Sequence, residues 1–243
     1  MVNINEGGVQ ARSVDAGRGI NWWSDGWALF QKNAGIWVVI ALILLIGAVV
    51  LSFIPFLGGL ATTLLWPVVT GSCLLAARKS ESGDKLDVGD LSLGFKESLN
   101  PLLVLGALCL AAIVVIMVVM GVLGFGAIMG MGAAGASQSM AGMMAAAGAG
   151  LLALLVGLAL SIPVIMALWF SPALVVFRGV PPVEAVRASF AACLRNIVPF
   201  LLHGIVFLVA AIVASIPFGL GWLVLLPLVT LTMYSSYKDV FGS

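Results

Sequence analysis

Six stretches of the chain run apolar without a charge, at about residues 36–56, 58–77, 101–125, 150–177, 197–217 and 219–236. Each matches or approaches the roughly 20 residues that an α-helix needs to cross a bilayer. Polar segments precede the first, third and fifth, and each carries a large apolar residue at helical spacing. The stripes are Trp23, Trp27 and Phe30; Val88, Leu91, Phe95 and Leu99; and Val183, Val186, Phe190 and Leu194. Asp25, Lys32, Asp90, Lys96, Glu97, Glu184, Arg187 and Arg195 fall off the stripe. Helices this short and this charged belong in the headgroup plane rather than across it. The expected architecture is an all-α polytopic membrane bundle. Six transmembrane helices form three hairpins, each preceded by a cytoplasmic amphipathic interfacial helix. Residues 20–238 form the membrane domain, after a flexible cytoplasmic N-terminus at 1–19.

The three units echo one another in detail. Trp22, Trp23 and Trp27 give the first stripe rings suited to the interface, where an indole keeps its ring apolar and its N–H wet. An Asn follows each stripe, at Asn33, Asn100 and Asn196, where the chain turns from the interface into a crossing helix. The first N–H groups of that helix lack internal partners, so an Asn side chain is expected to cap them. Ile54-Pro55-Phe56 followed by Pro67 resembles Ile216-Pro217-Phe218 followed by Pro227, and Ile162-Pro163 followed by Pro172 is a partial third copy. Pro67, Pro172 and Pro227 are therefore expected to kink the second helix of each hairpin.

Composition narrows the class. Hydrophobic residues make up 62% of the 243 and charged residues 9%, with a mean hydropathy of +1.21, too little polar side chain to cover a water-soluble surface. The 21 charged residues all lie before the first run, between the second and third, between the fourth and fifth, or after the sixth. With six crossings these regions share one face, and the positive-inside rule makes it cytoplasmic, with both termini inside. Fewer crossings would place charge in hydrocarbon at about 2.5–3.5 kcal/mol each. A net charge of +1 supplies no field for nucleic acid. The first 35 residues lack the apolar core of a signal peptide, so insertion is expected to rely on the first uncleaved crossing.

The stretch Ser171-Pro-Ala-Leu-Val-Val-Phe-Arg-Gly-Val-Pro-Pro-Val-Glu-Ala-Val-Arg-Ala-Ser-Phe, continuing to Asn196, resembles a broad group of six-helix bacterial membrane proteins. That group includes the YciC-like inner-membrane proteins and the membrane domain fused to some glycerophosphodiester phosphodiesterases. Ala16-Gly17-Arg18-Gly19 with Trp22-Trp23 and Gly26-Trp27 is similar to a narrower, uncharacterised proteobacterial inner-membrane family. The resemblance implies a fold and the bacterial inner membrane. It carries no phosphodiesterase activity, because the catalytic domain has no counterpart here, and Arg178 stands where the broad group often has an acidic residue.

Candidate chemistry is sparse. His203 is the only histidine and lies inside the fifth run, an intramembrane polar site by default, with cross-helix hydrogen bonding as its expected role. Cys73, Cys109 and Cys193 match no metal or disulfide spacing, and no cofactor is expected. Met129, Met131, Met140, Met143 and Met144 crowd the Gly/Ala/Met-rich segment 126–149, expected as a periplasmic loop or as a continuation of its two flanking helices. Thioethers suit Cu(I), but no His or Cys accompanies them. The chain has no H-E-x-x-H, no G-x-S-x-G and no intramembrane carboxylate pair. The expectation is a non-enzymatic membrane scaffold that organises lipid or binds a partner protein or itself. The alternatives are a small uncoupled transporter or channel and, more weakly, a copper-related membrane protein.

Overall fold

The computed structural model describes residues 10–137 and 140–242. It has α1 (Arg18–Lys32), α2 (Ala34–Ser52), α3 (Leu57–Glu81), a 3-10 turn (Val88–Ser92), α4 (Leu93–Glu97), α5 (Leu99–Ser137), α6 (Met140–Trp169), α7 (Ser171–Arg178), α8 (Pro182–Arg195), α9 (Ile197–Ser215) and α10 (Trp222–Phe241). Among the described residues there is no strand. Five stretches are long and apolar enough to cross a membrane: α2, α3, Leu99–Gly126 of α5, α6 with α7 (Met140–Arg178), and α9. The sixth expected crossing falls in α10, whose second half carries Thr230, Thr232, Tyr234, Ser235, Ser236 and Tyr237 and does not reach that standard. Most of those side chains are buried against protein.

Two compact units divide the chain, one of Met1–Ala107 with Met166–Ser243, the other of Leu108–Ile165. In the second unit Gly157 of α6 meets the Met120 side chain of α5, where an added Cβ would lie 2.4 Å from its sulfur. The segment expected as a loop at 126–149 is helical wherever it is described, continuing α5 to Ser137 and starting α6 at Met140. Ala and Met are strong helix formers, and their number offsets the roughly 1 kcal/mol that each Gly costs. At 39 residues α5 is about 58 Å long, nearly twice a hydrocarbon core of about 30 Å.

The first unit holds the core. Trp22, Trp37, Leu74, Phe170, Leu174, Leu231 and Tyr237 are fully or almost fully buried there. The helix pairs α2–α3 and α9–α10 turn through the repeated Ile-Pro-Phe, and Phe56 and Phe218 both take positive φ (59° and 53°) while fully exposed.

Each of the short helices α1, α4 and α8 interlocks with a long helix through a small residue. Gly26 of α1 lies against Thr232 of α10, and Gly94 of α4 against Val68 and Ser72 of α3. Both partners follow an in-helix proline, Pro227 and Pro67, by the same five residues to Thr232 and Ser72. The Ser72 hydroxyl donates to the Val68 carbonyl (3.1 Å) and accepts from the Gly94 N–H (2.9 Å). In the third sequence repeat, Ser189 of α8 accepts from the Phe170 N–H (2.9 Å) and donates to the Met166 carbonyl (2.7 Å). Those two backbone groups would bond each other in an unbroken helix, so the inserted hydroxyl ends α6 at Trp169. The expected kink at Pro172 is therefore a restart. Pro172 stands in the first turn of α7, where no N–H is needed, while Pro163 is the proline inside α6.

Burial shows which face of each short helix meets protein. In α8 the inner face is Ala185, Ala188, Ser189, Ala192 and Cys193, whereas Val183 and Leu194 are exposed and Phe190 is half-buried. Phe95 of α4 is likewise exposed beside buried Gly94. Small residues let the backbones approach, and the large apolar side chains are left outward. In α1 alone, Trp22, Trp23 and Phe30 turn into the core and Trp27 stays exposed.

Candidate functional site

Arg18, Asp25 and Lys32 recur every seven residues on α1 and so share one face, which forms one wall of a cleft of about 340 Å³. Glu81 at the end of α3 and Tyr234, Lys238 and Asp239 of α10 form the other wall. Arg18 spans the cleft base, its Nε on Asp239 Oδ2 at 2.5 Å and its Nη2 on Asp25 Oδ2 at 2.9 Å. The Trp22 indole donates to the same Asp239 oxygen at 2.7 Å. The bond to Asp239, with the charge of Asp25 beside it, holds the Arg18 guanidinium above its already high range. Lys238 pairs with Glu81 Oε1, and the Tyr234 hydroxyl donates to Oε2 at 2.8 Å. Lys32 makes one long contact, 3.4 Å to the Glu81 carbonyl. These side chains are about a third exposed, so each pair contributes about 0–1 kcal/mol. Their arrangement matters more than their strength: three cations and three carboxylates line one opening.

Around the cleft, other charges hold connecting segments. Arg178 donates to the Tyr237 hydroxyl (3.1 Å) and to the Phe241 carbonyl (2.7 Å), tying the end of α7 to the end of α10. Arg78 lies over the Phe177 ring at 4.9 Å. Lys79 forks onto both oxygens of Asp90 (2.9 and 3.0 Å), whose carboxylate also accepts from the Asp87 N–H.

The three Asn residues stand at helix boundaries, but the described hydrogen bonds do not cap as expected. Asn33 occupies the N-cap of α2 without bonding to it, and its Nδ2 donates to Ser80 Oγ at 2.9 Å. Asn100 is exposed within the first turn of α5. Asn196 precedes α9 and is 1% exposed. Its Oδ1 accepts from the Val14 N–H and its Nδ2 donates to the Arg12 carbonyl, both at 2.9 Å. The side-chain amide thus reads the backbone of an N-terminal strap. The Arg12 N–H donates to Val240 O at 2.7 Å, so residues 12–14 are bound to α10 and to Asn196 rather than loose, as the expectation for 1–19 had it. Residues 1–9 lie outside the described part.

His203 is buried among rings. Trp23 stacks on it at 5.0 Å, Trp169 meets it edge-on at 5.2 Å, and Trp22 and Phe200 complete the surround. The Trp23 indole donates to the His203 carbonyl (3.3 Å), and among the described residues His203 Nδ1 has no partner. Among the described residues no three His, Cys, Asp or Glu side chains are grouped so that they could hold a metal ion. Met129, Met140, Met143 and Met144 are exposed on α5 and α6, and the Met131 side chain lies outside the description. Sequence reasoning singled out the Trp cluster, the Asn boundaries and His203, and missed the cleft. Its one signal was the seven-residue spacing of Arg18, Asp25 and Lys32.

The chain is 27% identical over 225 residues to a probable inner membrane protein, BTH_II0599, of Burkholderia thailandensis, a match covering 88% of this chain and 80% of the relative. No family model matches it and no solved structure does, so the likeness to YciC-like proteins and to the phosphodiesterase membrane domain rests on the Ser171–Asn196 residues alone. With five helices apolar and long enough to cross, the chain is a multi-pass integral membrane protein of the inner membrane.

Proposed function

We propose that this is a non-enzymatic inner-membrane protein that organises lipid or holds a partner membrane protein. It crosses six times, through α2, α3, α5, α6–α7, α9 and α10, with both termini cytoplasmic. The observation that carries the reading is the division of its surface. Among the described residues the charges sit in the N-terminal segment, in α1, α4 and α8 with their connections, and at the ends of α3, α7 and α10, while α2, α5, α6 and α9 expose bare Leu, Ile and Val. Polarity in α10 fits a crossing helix that faces protein, since only a lipid-facing helix must be apolar all round. The sequence offers no catalytic motif to set against this. Reporter fusions at Ser82 and Ser137 test the layout, and are expected in opposite compartments; finding both in one overturns it. Cross-linking in native membranes tests the role: recovery of an enriched lipid class or a stoichiometric membrane partner is expected, and recovery of neither refutes it.

A further inference from the structure

We propose that the cleft between α1, α3 and α10 binds a zwitterionic phosphoethanolamine group, as phosphatidylethanolamine or as the free headgroup. The inference rests on the lipid-organising reading above and gives it a site and a ligand chemistry.

Charge balance selects the ligand class. Arg18 already pairs with Asp25 and Asp239, and Lys238 with Glu81, so an anion drawn to the cations also meets the three carboxylates and a cation drawn to the carboxylates also meets Arg18, Lys32 and Lys238. A ligand carrying both signs a few bonds apart satisfies each set. The unused hydrogen-bonding capacity lies on matching groups. Asp25 and Asp239 each engage Oδ2 and leave Oδ1 without a partner among the described residues. Those oxygens can accept from a primary ammonium, which has three N–H donors to give. Lys32 spends only its 3.4 Å contact, and Lys238 spends one donor on Glu81, so both keep protons for a phosphate. Glu81 is already doubly engaged, by Lys238 and by Tyr234, and so is the carboxylate least able to receive the ligand. The cleft volume of about 340 Å³ is at the small end of ligand sites, about 300–1,000 Å³. That suits a headgroup rather than a large soluble metabolite. The preference for a primary ammonium follows from hydrogen bonding, since a trimethylated ammonium offers no N–H.

The full-length protein, delipidated in non-ionic detergent, is titrated with short-chain phosphatidylethanolamine, phosphatidylcholine and phosphatidylglycerol, with O-phosphoethanolamine, and with inorganic phosphate. Saturable binding of the ethanolamine lipid is expected, about tenfold tighter than the choline or glycerol lipids, the worth of one charge-assisted contact. Equal binding of O-phosphoethanolamine identifies the free headgroup as a ligand, and its failure beside the lipid identifies the membrane as the source; both support the chemistry. The double variant Asp25→Asn, Lys32→Gln removes one group of each sign at exposed positions, and its ligand-free melting temperature reports folding. It is expected to lose about tenfold in affinity for the ethanolamine lipid. Equal binding of all three lipids, binding of phosphate alone, no saturable binding, or an undiminished affinity in the folded double variant overturns the proposal. Native mass spectrometry of lipid co-purified with that variant separates the two readings: unchanged lipid enrichment defeats the cleft and leaves the scaffold role standing.

Discussion

Gly94→Ala tests whether the short helix α4 is locked to α3 by backbone approach. The new Cβ would stand 2.5 Å from the Val68 carbonyl oxygen, 2.7 Å from Ser72 Oγ and 3.0 Å from Ser72 N. Two of these are backbone atoms of α3 just beyond Pro67, so no side-chain rotation relieves them. The helix must back away, and the 2.9 Å bond from Gly94 N–H to Ser72 Oγ lengthens as it does. Overpacking of a close interface costs about 1–3 kcal/mol. Weakening the buried hydrogen bond adds about 1 kcal/mol, and replacing Gly by Ala in a helix returns about 1 kcal/mol. The net loss is roughly 2 kcal/mol, which for a chain of this size lowers the melting temperature by about 4–8 °C. Gly204→Ala is the control, because a Cβ there has nothing within 4 Å. It gains helix propensity alone and is expected to raise stability by about 0.5–1 kcal/mol. Thermal unfolding in detergent, followed by far-ultraviolet circular dichroism, reads both. If Gly94→Ala melts with Gly204→Ala rather than below wild type, the α4–α3 approach is not as close as described and the interlock argument fails.

Asn196→Ala removes the side chain that bonds both Val14 N–H and Arg12 C=O, and leaving those groups unpaired costs about 1–3 kcal/mol. Limited proteolysis is expected to cut the variant near Arg12 at protease levels that spare wild type, and equal resistance would refute the clamp. Cys193, on the inner face of α8, has its thiol pushed up to about 12 by burial, against 9.0 for a free one. A raised thiol pKa keeps the neutral form, so Cys193 is expected to resist maleimide at pH 9, where an unfolded thiol is half thiolate. Ready labelling of the native protein at that pH would place α8 away from α6 and α7.

Five of the long apolar helices were legible because the bilayer imposes a strong one-dimensional rule: long apolar runs with charge at their ends. The short helices α1, α4 and α8 were legible as elements, because the apolar stripe and the off-stripe charges both follow the helical period. Which face meets protein is set by close approach, and in α8 Ala185, Ala188 and Ala192 take that side. Asn33 and Asn196 do precede helices, but their side chains bond to Ser80 and to the N-terminal strap and not to the helix starts. Capping is a local rule, and the strap that Asn196 holds lies more than 180 residues away in sequence. The cleft was hidden for the same reason, its walls coming from residues 18–32, 81 and 234–239.

The behaviour of α10 follows from that logic. Hydropathy along a sequence reports what a helix touches, and α10 touches α1, α2, α3 and α9. Leu231, Thr232, Ser236, Tyr237 and Val240 are all buried, polar and apolar alike. Its buried hydroxyls are bonded within the protein. Ser235 bonds the Leu231 carbonyl, Ser236 bonds the Met233 carbonyl while accepting from the Trp169 indole, and Tyr234 bonds Glu81. A helix enclosed this way needs no apolar exterior, and its polar side chains become the means by which α1, α3 and α7 are positioned around it. The end that carries Tyr234, Lys238 and Asp239 is also one wall of the cleft. The feature that hides α10 from a hydropathy criterion is thus the one that assembles the protein's charged site.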